Sequence, residues 1–138
     1  MHVPNLRSPG ETVGGIVYFG RMVDKIRLHG AGQLPEDYAP NLGTGFDGRC
    51  CNFLGIAYPA LVEEVRRGGS DDALLDWAFT HGNRPGEEAI EVWNEFMRKR
   101  GWNDSGSPQL AKRKQESGFS DRAEIQTFFA YIDADEGR

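Results

Sequence analysis

Apolar residues recur along this chain at helical spacing, in runs separated by Gly, Pro and capping residues. The first run is Val13, Ile16, Val17, Phe19, Val23 and Ile26. Ser8, Pro9 and Glu11 before it form a capping box, which predicts a helix from there to about Leu28, stopping at Gly30 or Gly32. Its apolar residues occupy more than one stripe, so its N-terminal half is expected to be buried on several sides. Gly14-Gly15 and Gly20 predict close approach by a neighbouring helix or a local bend. Pro35 to Gly45 carries too many breakers for regular structure and reads as an ordered loop.

Asp47 then reads as the cap of a short helix through Cys51, Phe53 and Leu54, and Pro59 as the start of another with Leu61, Val62 and Val65, ended by Gly68-Gly69. Ser70 caps a helix with Leu74, Leu75, Trp77, Ala78 and Phe79 on its buried face and Gly82 as its stop. From Pro85, Ile90, Trp93, Phe96 and Met97 define an amphipathic helix with Glu87, Glu88, Glu91 and Glu95 toward water, closed by Gly101. Residues 103–120 read as a loop or linker with a short helix. A last helix, 121–134, follows a Ser120 cap and carries the stripe Ile125, Phe128, Phe129 and Ile132. Either the main body or a second copy of the chain must cover that stripe. No period-two segment is long enough to predict a strand. The expected fold is all-α: a compact single-domain bundle of about six short helices, with its core over about 6–102 and one Gly/Pro-rich loop.

Length and composition support one folded domain, since 138 residues with 38% hydrophobic and 27% charged positions can bury a core without staples. Eight Phe, four Tyr and three Trp predict an aromatic core, so Trp77, Trp93 and Trp102 read as packing residues rather than stacking platforms. No apolar stretch reaches membrane-spanning length, and the N-terminus lacks the order of a secretory signal, so a cytoplasmic setting is expected. A net charge of -5 argues against a general nucleic-acid binder. Of its two basic triplets, Arg98-Lys99-Arg100 ends a predicted helix, where the macrodipole favours cations; Lys112-Arg113-Lys114 is the other.

Several segments together resemble a known family. Arg21-Met22-Val23-Asp24-Lys25-Ile26-Arg27, Phe53-Leu54-Gly55-Ile56, Gly69-Ser70-Asp71 with Trp77, and Glu91-Val92-Trp93-Asn94 are similar to the pattern of domain of unknown function 5069. Glu124-Ile125-Gln126-Thr127-Phe128-Phe129, with Asp133 and Asp135-Glu136-Gly137, resembles its longer members. The resemblance implies a bacterial, cytoplasmic, mostly helical single domain and no particular activity. The chain departs from the pattern at Tyr38-Ala39-Pro40-Asn41-Leu42 and the Gly-rich insert that follows.

The densest polar run lies on the first helix. Asp24 stands three residues from Arg21 and Arg27, and Lys25 stands four from Arg21 and His29. One reading is an ion-pair ladder that docks the helix. The other is a ligand site in which Arg21 and Lys25 bind a carboxylate or phosphate, Asp24 orients them, and Tyr38, Asn41, Asp47 and Arg49 belong to the loop that closes over it. Asp24 would act as a general base if burial raised its pKa. Under the first reading Asp24→Asn costs only stability; under the second Arg21→Ala removes a ligand response at small cost in stability.

Other chemistry is thinner. Gly43, Gly45 and Gly48 match a dinucleotide fingerprint, yet no buried strand precedes them, so they read as turn formers. His29, Cys50, Cys51 and His81 lack metal-ligand spacing, Cys50 and Cys51 read as buried and reduced, and Asp133, Asp135 and Glu136 read as a solvated tail. No cofactor and no complete catalytic set is indicated. The leading expectation is a binding or protein-interaction module; the rival is a small-molecule enzyme or sensor. Its expected partner is another protein or a small anionic ligand.

Overall fold

A computed structural model describes residues 1–138. The chain is all-α apart from one short hairpin: β1 (Thr12–Val13), β2 (Ile16–Val17), α1 (Phe19–Gly30), a 3-10 helix (Glu36–Asn41), α2 (Phe46–Leu54), α3 (Tyr58–Arg66), α4 (Asp71–His81), α5 (Glu87–Lys99), α6 (Ser107–Glu116) and α7 (Phe128–Asp135). Seven α-helices replace the expected six, and no helix is long and apolar enough to cross a membrane.

The main departure from the sequence reading precedes α1. The Ser8–Glu11 pair forms, with the Ser8 amide donating to Glu11 Oε2 at 3.2 Å, but a hairpin follows it instead of a helix. Gly14 and Gly15 have φ of 57° and 79°, the left-handed pair that a two-residue antiparallel turn demands, and Thr12 pairs with Val17. Asn94 secures the turn: its Oδ1 accepts from the Val17 amide at 3.1 Å and its Nδ2 donates to Gly15 O at 2.8 Å. Gly20 is approached not by a helix but by the Arg7 guanidinium.

The core gathers Ile16, Phe19, Met22 and Val23 from β2 and α1 against Cys50 and Leu54 of α2, Leu61 of α3, Leu74 of α4 and Met97 of α5. Trp93 stacks on Phe53 with ring centroids 4.7 Å apart and donates to Val17 O, whereas Trp102 is exposed. Ser70 caps α4, accepting from the Ala73 amide at 3.1 Å. At the far end of α4, a Cβ on Gly82 would lie 2.0 Å from Leu54 O, so Gly82→Ala forces the α2 and α4 termini apart. It is expected to cost about 1–3 kcal/mol, read by chemical denaturation.

The C-terminal third is more ordered than its composition suggests. Here α6 is the short helix expected within 103–120, while earlier in the chain the 3-10 helix occupies the expected Gly/Pro-rich loop. The last helix starts at Phe128 rather than after Ser120, because Thr127, not Ser120, caps it, accepting from the Ala130 amide at 3.1 Å. Lys114 ties down the intervening turns by donating to Arg122 O and Ile125 O. Phe129 is buried against Tyr18 and Phe46, so α7 lies on the main body.

Candidate functional site

The charged run of α1 divides between two adjoining faces. At 3.6 residues per turn, the Arg21/Lys25 pair and the Asp24/Arg27 pair are centred roughly 110° apart around the axis. Each pair meets a different part of the chain.

Asp24 and Arg27 face the N-terminal segment and the start of α4. Asp24 accepts from Arg7 Nε at 2.8 Å and from the Arg7 amide at 3.0 Å, with Arg27 Nη1 at 3.7 Å. Asp71 takes Arg7 Nη1 at 2.7 Å and Arg27 Nη1 at 2.9 Å. The Asp24 and Asp71 hydrogen bonds raise the Arg7 pKa, so this guanidinium stays charged. Asp24 is therefore spent on Arg7 and does not orient Arg21 or Lys25. This is a ladder joining three segments, and Asp24→Asn should lower stability by about 1–3 kcal/mol while leaving any anion response of the other face intact, as thermal melts with and without phosphate would read.

Arg21 and Lys25, on the adjoining face, point into a cleft of about 670 Å³. Arg21 is 5% exposed and forks onto Glu136 through Nη1–Oε1 at 2.8 Å and Nη2–Oε2 at 2.7 Å. Tyr38 OH donates to Glu136 Oε2 at 2.8 Å, and Arg138 Nη1 to Glu136 Oε1 at 2.7 Å. Glu136 is thus an anchor and not part of a solvated tail. Burial pushes its pKa up, but the Arg21, Arg138 and Tyr38 bonds outweigh that and hold it below its ordinary value. Arg21 does bind a carboxylate, and the carboxylate is the chain's own.

Beside it lies a second buried cluster. Asp47 is fully buried; Oδ1 accepts from Tyr18 OH at 2.7 Å and pairs with Lys25 Nζ at 2.8 Å, while Oδ2 accepts from the Gly43 amide at 3.0 Å. Asp47 sits in the first turn of α2 without capping it; Gly45 is the N-cap residue. Burial outweighs the Asp47 attraction and lowers the Lys25 pKa, while burial and the neighbouring Asp47 carboxylate raise that of Tyr18. Tyr18 holds φ at 76°, a left-handed conformation rare for an aromatic residue. Its ring is fixed by Phe129 at 6.4 Å and Phe46 at 5.7 Å. Strained residues held this firmly cluster at functional sites.

Asn41, Arg49 and Tyr38 also line this cleft, so Arg21, Lys25, Tyr38, Asn41 and Arg49 meet there with Asp47 packed behind, whereas Asp24 and Arg27 do not join them. The sequence reading missed Tyr18, Arg100, Arg113 and Glu136 in the cleft and Arg7 on the other face. Only the basic triplets hinted at Arg100 and Arg113. Arg49 and Arg113 have no carboxylate within 4.0 Å, and Arg100 has Asp104 at 3.4 Å. Asp37, Glu116 and Asp135 lie on the same rim, likewise without a cation partner. The aromatic wall comprises Tyr18, Phe46, Phe128 and Tyr131.

Neither thiol offers a nucleophile, because burial pushes Cys51 up to about 11 and Cys50 well above its ordinary value. His81 stacks on Trp77, and no group of three His, Cys, Asp or Glu side chains is placed to hold a metal.

Fold and site together define an all-α domain with a charged, aromatic-walled cleft between its first helix and its C-terminal third. A family model described as domain of unknown function (DUF5069) matches residues 3–138, and the chain belongs to that family. A search of curated proteins returns no match.

Proposed function

We propose that the cleft is the binding site of a small anionic metabolite, as in a sensor or small-molecule enzyme. One observation carries this reading: Arg21 and Lys25 of α1, Arg49 of α2, Arg100 at the end of α5 and Arg113 of α6 converge on one cavity of about 670 Å³, a volume suited to a metabolite. Arg21 and Lys25 already have buried partners, which leaves Arg49 and Arg113, without a carboxylate, and Arg100, with Asp104 at 3.4 Å, to meet a ligand. The Tyr18–Asp47–Lys25 cluster adds groups able to hold or pass a proton at the floor. The bacterial, cytoplasmic setting belongs to the same proposal, supported by the family resemblance and by two buried, unpaired cysteines.

The rival, a protein-interaction module, rests on the exposed side chains Val92 (64%) and Trp102 (51%) and on Phe96, whose ring Arg49 and Arg100 already flank. A thermal-shift screen of anionic metabolites separates the two. A ligand at about one hundred times its Kd should add about 2.7 kcal/mol, a shift of several degrees. The site reading expects that shift to vanish in Arg49→Ala and Arg113→Ala. Arg21→Ala is the wrong probe, because it strands buried Glu136. Silence across the library, or a shift that survives both variants, would overturn the reading.

A further inference from the structure

Resting on the anion-site reading, we infer that the cleft takes a phosphomonoester carrying a planar ring, with the phosphate held between Arg49 and Arg100. Both guanidinium groups line the cleft, Arg49 from α2 and Arg100 from the end of α5, and each lies against the Phe96 ring, 5.4 Å and 5.7 Å from its centroid. Both groups are cationic, and only Arg100 has a carboxylate to offset its charge, Asp104 at 3.4 Å. A doubly charged tetrahedral group matches two arginine forks better than a carboxylate does, since it offers three strong acceptor oxygens.

The surroundings agree with that assignment. Gly45 and Phe46, and Gly106 and Gln109, line the same cleft where α2 and α6 begin, and the amides of Phe46 and Gln109 donate to no protein acceptor. They add to a site that the arginines define. The rim also carries acids: Glu116 of α6, and Asp37 and Asp135, the chain neighbours of Tyr38 and Glu136, which are bonded at 2.8 Å. A polyanion lying along the whole cleft would meet those carboxylates, so one phosphate with an uncharged or cationic remainder fits the charge pattern. Phe46, Phe128 and Tyr131 offer that remainder an aromatic wall.

The test is isothermal titration of the full chain with phenyl phosphate and with benzoate, above and below pH 6 at low salt. Phenyl phosphate is expected to bind at least about tenfold tighter than benzoate above pH 6, and to lose that advantage below it as the second phosphate proton, of pKa about 6, is taken up. Arg49→Ala should weaken phenyl phosphate about tenfold; Arg49 is exposed and makes no ion pair, so the variant should melt like the parent, and the pH comparison needs no variant at all. Equal binding of the two probes with no pH dependence would overturn the phosphate assignment and leave the anion site standing. Binding of neither would overturn both.

Discussion

Replacing Asp47 with alanine is expected to lower stability by about 3–5 kcal/mol, the usual consequence of removing one partner from a buried ion pair. For a domain of this size that is roughly 10 to 15 °C in Tm. The change takes the acceptor from Tyr18 OH and the Gly43 amide and the counter-charge from Lys25, which keeps only Tyr18 OH. Asp47→Asn is informative because it keeps an acceptor for Tyr18 and removes only the charge. Lys25 already titrates below 10.5 because it is buried, so its charged form opposes folding below that depressed value and the cost fades as pH rises toward 10.5. Without Asp47 the depression deepens. Asp47→Asn should therefore regain stability relative to the parent in alkaline solution, and denaturant melts across pH 7 to 10.5 would reveal it. A constant deficit would mean that Lys25 is not the stranded charge.

Glu136→Ala should cost a similar amount, about 3–5 kcal/mol, by leaving the Arg21 guanidinium buried without its fork. It also releases Tyr38, and with it the 3-10 helix from the end of α7. Stability again rises with pH, as it does for Lys25, but in the acid range. Glu136 titrates below its ordinary 4.5 in the folded chain, so its stabilisation is complete above that value and is lost as pH falls through the folded pKa. Parent and Glu136→Gln should differ most at neutral pH and converge in acid. Melts at descending pH check this; a gap that stays constant would remove Glu136 from the acid response.

The two anchors show which features local sequence carries. Helix punctuation was legible because its physics is local: Ser70 capping α4, Pro59 in the first turn of α3 and Gly82 after α4 each act within a few residues. The Gly14-Gly15 hairpin was hidden because its apolar residues also fit a helical stripe, and its deciding partner, Asn94, lies 79 residues from Gly15. Spacing alone placed Arg21 and Lys25 on one helix face, and the cleft they line also takes Tyr38, Asn41 and Arg49. It could not assign partners, since Asp24 is three residues from Arg21 while Glu136 is 115 away. Proximity in sequence favoured the wrong carboxylate, and the tail residue that reads as solvated became the anchor. The cleft's arginines were obscured because Arg100 and Arg113 both fall in basic runs, and the one holding Arg100 is already explained by a helix end.

The most direct check on the cleft is a ¹H–¹⁵N NMR titration of the full chain with phenyl phosphate. The predicted result is a set of perturbed signals confined to the cleft, including the amides of Phe46 and Gln109 and the side chains of Arg49 and Arg100. Perturbations centred on Val92 and Trp102, or none at all, would contradict an anion site between α1, α2 and α6.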